Sequence, residues 1–147
     1  MIIVLLPAFN EEESLPALMP KLKMALDGMK EEYRVLVCDD GSGDHTGEQL
    51  LAYAKEMPLE ILDHSINRGL GETSRDLFER ASEIAEEGDA IIRLDCDDTH
   101  EPEFIPTLIE KLRSGYDVVI ASRFEPGGGQ MGVSGYRASI SRAANLF

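Results

Sequence analysis

The sequence predicts an α/β protein built on a doubly wound, mainly parallel sheet. Apolar runs of strand length, rich in Val, Ile and Leu, recur at 2–6, 34–38, 59–62, 90–94 and 118–121, with helix-length segments between most of them. The runs are continuous rather than alternating, as strands buried on both faces require. Their alternation with helices implies right-handed crossovers.

Each helix has its own signature. The first follows Ser14 and turns Leu15, Leu18, Leu22 and Leu26 inward, with Pro20 expected to kink it. The second begins near Thr46, which is placed to cap it. The third spans about 71–87 and carries Leu77, Phe78, Ala81, Ile84 and Ala85 at helical spacing. The fourth starts at Pro102, a residue favoured in a first turn, and shows Phe104, Ile105, Leu108, Ile109 and Leu112. After Ser122 the texture changes to a glycine-rich stretch over 123–139, read as a loop, and then to a possible helix start. The organisation expected is one domain over 1–147, with an α/β core over 1–121 and an acceptor loop over 122–147.

Composition narrows the partners. The chain has 147 residues and is 43% apolar, enough for a core. A formal charge of −14 disfavours nonspecific contact with nucleic acid or an anionic membrane. The apolar start MIIVLLPAF lacks a basic flank and is too short to span a bilayer, so it reads as a first strand of a cytoplasmic protein. Cys38 and Cys96 each end an apolar run and read as buried free thiols. If the strands run 3-2-1-4, the first strand lies between them and no bridge can form.

In an open parallel sheet, ligands bind beyond the carboxyl ends of the strands. Those ends carry Asn10 and Glu11, Asp39 and Asp40, Asn67 and Arg68, Asp95 and Asp97, and Ser122 and Arg123. PAFNEEES after the first strand is not the glycine-rich turn of a dinucleotide site. The segment LDCDDTHEPEF crowds Asp95, Asp97 and Asp98 together. Such carboxylates repel a diphosphate by roughly 4 kcal/mol per charge pair at ~4 Å and an effective dielectric near 20. A bound Mg²⁺ or Mn²⁺ reverses the sign, and Asp95 and Asp97 supply the oxygen ligands these hard cations take. His45, His64 and His100 show no metal-ligand spacing and are read as solvated or capping side chains.

Taken together, PAFNEEESL (7–15), VLVCDDGSGDHT (35–46), NRGLG (67–71), LDCDDTHEPE (94–103) and ASRFEPGGG (121–129) resemble the GT-A nucleotide-sugar glycosyltransferases of family 2. Within that family the chain is similar to the polyprenyl-phosphate hexose synthases of the dolichol-phosphate mannose synthase type. The resemblance implies that Pro7, Phe9 and Glu11 line the nucleoside site and that Asp39 contacts the base or ribose. Asp40 and Arg68 join this donor-binding group. Asp95 and Asp97 become the D-x-D pair for the metal and sugar diphosphate, and Arg123 and Arg137 match phosphate-contacting arginines.

Three departures stand out. Thr99 occupies a position where such synthases often place a glutamine ligand, and a later Glu-Asp pair and Q-x-x-R-W motif are absent. Family members also usually continue past this length into membrane-associated helices, so the chain is expected to be a catalytic-domain fragment acting at the cytoplasmic face of a membrane.

The first functional reading is metal-dependent, inverting transfer of a hexose from GDP- or UDP-sugar to a dolichyl or undecaprenyl phosphate. Such an acceptor is already ionised and needs no protein base. The loop over 125–135 would close on the sugar. The alternatives are a family 2 enzyme with a hydroxyl acceptor, and a nucleotide-sugar-binding domain without turnover.

Overall fold

The computed structural model describes residues 1–97 and 101–122. The chain runs through β1 (Ile2–Ala8), α1 (Leu15–Gly28), β2 (Tyr33–Asp39), α2 (Thr46–Tyr53), β3 (Leu59–Asp63), α3 (Leu70–Ile84) and β4 (Ala90–Arg93). A 3-10 turn at Pro102–Phe104 then leads into α4 (Ile105–Arg113). The four strands form one parallel sheet in the order β3-β2-β1-β4.

All seven residues of β1 are buried, because it pairs on both edges and is covered on both faces. Alternation along the strand sends Ile2, Val4, Leu6 and Ala8 into one core, with Leu15, Leu18, Leu22 and Leu26 of α1, Leu50 of α2, and Ile105 and Ile109 of α4. Ile3 and Leu5 face the other way, into a smaller core with Leu36, Cys38, and Leu77 and Ala81 of α3. Each fully buried Leu or Ile contributes about 1.5–3 kcal/mol relative to exposure, so the larger cluster is the main source of stability. The helix α1 continues through Pro20.

Helices α1 and α2 lie on one face and α3 on the other, and the chain reverses direction across the sheet between β1 and β4. This reversal opens a crevice at the carboxyl ends of those two strands. Strand β1 separates β2 from β4 as the sequence reading required, and Cys38 and Cys96 are both buried free thiols.

One expected strand does not form. Residues 118–121 are irregular, with Val118 71% and Ile120 83% exposed. β4 ends the sheet among the described residues, so nothing described there pairs with this apolar run. Hydrophobicity alone does not make a strand without a neighbour to receive its hydrogen bonds. Phe78 and Phe104 also fall on exposed faces of their helices. Among the described residues no helix is long and apolar enough to cross a membrane.

Candidate functional site

Four strand ends converge on one cleft of about 390 Å³. β1 delivers Pro7, Ala8, Phe9 and Glu11, and β2 delivers Asp40. The segment after β3 contributes Asn67, Gly69, Leu70 and Thr73, and the segment after β4 contributes Asp95, Cys96 and Asp97. A second, more open hollow of about 460 Å³ lies between Met29 and α4, away from the strand ends. Its arginine, Arg113, is committed to Glu31 at 2.9 Å, so the hollow offers little chemistry.

The loop after β1 is fastened to the loop after β2. The Asn10 amide donates to Ser42 Oγ at 2.9 Å, and Asn10 Oδ1 accepts the Gly43 amide at 2.8 Å. Asn10 has a φ of 55°, a left-handed conformation that Asn tolerates better than most residues. The Glu11 amide donates to Thr46 Oγ1 at 2.8 Å, and the Glu12 and Thr46 amides donate to the Asp44 carboxylate at 3.2 and 3.0 Å. The expectation that Thr46 caps α2 is therefore corrected. Its hydroxyl is turned to Glu11, and Asp44 receives the amide at the start of the helix.

Asp39 and Asp40 diverge because neighbours on a strand point to opposite faces. Asp39 is buried on the α2 side, where its Oδ1 accepts the Ser42 amide at 3.0 Å, and it is not among the residues lining the cleft. Asp40 turns toward α3 and does line it. Its carboxylate accepts the Arg68 amide at 2.9 Å and the Gly69 amide at 2.8 Å, so it fixes the turn that leads into α3. Burial alone would raise the Asp40 pKa, but the bonds from His64, the two amides and Thr73 together hold it below the usual carboxylate value. Arg68 directs its guanidinium to Asp76 at 2.8 Å and Glu72 at 3.3 Å, and it too is absent from the cleft lining.

Gly41 holds these loops close. It has a φ of 73°, and a Cβ there would stand 2.7 Å from the backbone carbon of Ile66. Only glycine allows both the left-handed turn and that approach.

His64 departs from the sequence reading, which left it solvated or capping. Its side chain is only 8% exposed, with Nδ1 2.7 Å from Asp40 and Nε2 3.0 Å from Asp76. No local motif announces this, because the partners lie 24 and 12 positions away in sequence.

On the β4 flank, Asp95 Oδ1 accepts from Arg93 at 2.6 Å, and Asp97 is exposed to the cleft. The buried Cys96 thiol reports the local field. Burial, then the charges of Glu11, Asp97 and Asp95, push its pKa well above the ordinary value, so it remains a neutral thiol. Two hard oxygen donors in a negative field, beside a thiol that stays protonated, suit Mg²⁺ or Mn²⁺. Among the described residues no group of three or more His, Cys, Asp or Glu side chains is arranged to hold an ion, so Asp95 and Asp97 would rely on water and substrate oxygens. Asp98, Thr99, His100, Arg123, Arg137 and the loop over 125–135 lie outside the described residues.

The architecture is that of the GT-A glycosyltransferases. Among solved structures, S. aureus TarS residues 1–349 in complex with UDP-GlcNAc superposes with a TM-score of 0.64 at 20% identity, covering 85% of this chain and 38% of that one. Another structure of S. aureus TarS residues 1–349 gives a TM-score of 0.59 at 22% identity, covering 85% of this chain and 40% of that one.

Residues 3–138 match the model of glycosyl transferase family 2, and the chain belongs to that family. It is 34% identical over 141 residues to a dolichol-phosphate mannosyltransferase of Pyrococcus furiosus, covering 96% of this chain and 38% of the relative. It is also 34% identical over 145 residues to an undecaprenyl-phosphate 4-deoxy-4-formamido-L-arabinose transferase of Serratia proteamaculans, covering 97% of this chain and 41% of that one. The chain thus spans about two fifths of the length of these curated relatives.

Proposed function

We propose that this chain forms the donor-binding part of an inverting glycosyltransferase that moves a hexose from GDP- or UDP-sugar to a polyprenyl phosphate. The observation that carries the reading is the cleft at the switch point, where Asp95, Asp97 and Glu11 meet the side chains from β1, β2 and the α3 start. The curated relatives are named for transfers involving dolichol phosphate and undecaprenyl phosphate, which supports a lipid-phosphate acceptor.

In this reading Phe9 and Leu70, both substantially exposed while lining the cleft, give apolar contact to the nucleoside. Asn67 offers an acceptor and a donor to its polar edges, with Pro7 and Glu11 completing the wall and the buried Asp40 holding the Arg68–Gly69 turn beside it. Asp39 acts from behind, through the turn it holds. Asp95 and Asp97 would hold Mg²⁺ or Mn²⁺ with water, and when bound the ion offsets the charge of the departing nucleoside diphosphate. A phosphate oxygen of the acceptor attacks the anomeric carbon as the carbon–oxygen bond to the diphosphate breaks, which inverts the configuration. The acceptor is already an anion, so no protein base is needed. Arg123 and Arg137 are assigned to phosphate from their sequence positions alone. A lipid acceptor places the reaction at the cytoplasmic face of a membrane.

Thermal-shift measurements with GDP- and UDP-sugars in Mg²⁺, Mn²⁺ or EDTA test the donor and the ion together. A rise for one nucleotide that EDTA abolishes is the expected result, since a ligand selective for the native state stabilises it by mass action. No rise with any donor and metal would overturn the proposal.

A further inference from the structure

The end of β3 presses a histidine into a charged cluster that the donor chemistry does not use. His64 continues the β2–β3 ladder, its amide donating to the Asp39 carbonyl at 2.9 Å. Two residues after Leu62 on the same side of the strand, its ring is turned toward α3. Nδ1 lies 2.7 Å from Asp40 Oδ1, and Nε2 lies 3.0 Å from Asp76 Oδ2. The other groups facing the ring are Cys38 Sγ at 3.5 Å and Arg68 at 3.3 Å. Arg75, at 3.3 Å from Asp76, and Glu72, at 3.3 Å from Arg68, close the outer rim.

Ionised carboxylates only accept, so both ring nitrogens satisfy them only when each carries a hydrogen, which makes the ring a cation. Two carboxylates then face two cations, His64 and Arg68, in a largely buried setting. A neutral ring could keep the Asp40 bond and turn a bare Nε2 to the Arg68 guanidinium at 3.3 Å, but it would give up the bond to Asp76, so bridging both carboxylates is the property of the protonated ring.

The geometry matters for the cleft because Asp40 does two jobs at once. The oxygen that meets His64 Nδ1 also accepts the Arg68 amide, and its other oxygen accepts the Gly69 amide. Gly69 and Asp40 line the cleft, while His64 does not.

We infer that His64 is a positioning residue, a histidine cation that clamps Asp40 to Asp76 and thereby sets the Arg68–Gly69 backbone and the start of α3 as one wall of the donor cleft. Raising the pH to the point where the ring loses a proton must break one of the two carboxylate bonds and loosen that wall. The link to nucleotide affinity rests on the donor reading above; the clamp itself does not.

The test uses the wild-type chain and His64→Gln, with GDP and UDP as probes in the presence of Mg²⁺. Three readouts are needed: ¹⁵N resonances of the His64 ring, hydrogen exchange at the Arg68 and Gly69 amides corrected for intrinsic rates, and calorimetric affinity from about pH 6.5 to about pH 8.5. At the acid end of the series both wild-type ring nitrogens should carry protons and bond the two carboxylates. Amide protection and affinity should fall together as the ring deprotonates. H64Q should bind about tenfold more weakly at the lower pH, a loss the size of one hydrogen bond, and should lose the ring-linked pH dependence.

A wild-type ring with one bare nitrogen across the whole pH series overturns the clamp, and this holds even if the variant fails to fold. Equal exchange and equal affinity in wild type and H64Q also overturn it. If neither GDP nor UDP binds wild type while Arg68 and Gly69 protection still tracks the ring, the clamp stands and the donor reading falls.

Discussion

The two flanks of the cleft differ in how far their carboxylates are built into the fold. On the β2–β3 flank every carboxylate discussed has defined donors: Asp39 takes the Ser42 amide, Asp44 two amides, and Asp40 two amides and an imidazole. On the β4 flank, Glu11, Asp95 and Asp97 act together to raise the buried Cys96 thiol. The contrast repeats in the thiols. Cys38 is pushed up to about 12 by burial and by Asp40, Asp76 and Asp39, but Arg68 opposes them, whereas the charges acting on Cys96 are all negative. One flank is a finished structural wall. The other keeps Glu11, Asp95 and Asp97 at the cleft, with Asp95 also held by Arg93.

Substitutions on the two flanks should therefore fail differently. The largest effect is expected at Asp97. Asp97→Asn should lower metal-dependent transfer by about 10²–10³-fold, the scale of losing one electrostatic contact to a developing charge, with an unchanged circular dichroism spectrum. Turnover equal to wild type would erase the distinction between the flanks.

Asp40→Asn should instead appear as lost stability, about 3 kcal/mol in urea unfolding, because it leaves a buried histidine and two amides without their carboxylate. Gly41→Ala should cost about 2 kcal/mol or more by the same measurement, combining left-handed strain with the approach to Ile66. Thr46→Val removes the hydroxyl that accepts the Glu11 amide and bonds Asp44, and about 1 kcal/mol is expected by the same measurement.

Acid sharpens the same contrast. Asp40 and Asp44 have folded-state pKa values below their ordinary ones. A depressed carboxylate contributes stability that is complete above the unfolded value, near 4, and is lost as pH falls through the folded value. Urea midpoints should therefore drop below about pH 4, and the drop should be shallower in Asp40→Asn.

Much of this was legible in the sequence, and what escaped has identifiable causes. β1 and β2 read clearly because burial on both faces leaves uninterrupted Val, Ile and Leu, whereas β4, at the sheet edge, is apolar in sequence but buried on one face only, with Ile91 exposed. The grouping of Glu11, Asp95 and Asp97 at one end follows from parallel strands, while the order 3-2-1-4 stood in the sequence reading only as a condition, which the sheet meets. The stretch over 118–121 has the same apolar texture as a strand, but strands are defined by partners, and sequence texture does not supply one. Asp39 and Asp40 look equivalent in DDGS until strand parity separates them. His64 was invisible because its meaning arises only where β2, β3 and α3 meet.

The stitching between the first two loops has a practical side for anyone wishing to retarget this scaffold. Because Asn10, Glu11 and Glu12 are each bonded to residues between 42 and 46, neither segment has a shape of its own to carry into a new host. A graft of 9–14 without 39–47 would arrive with its amides facing the wrong acceptors, so the two must be transplanted as a single cassette.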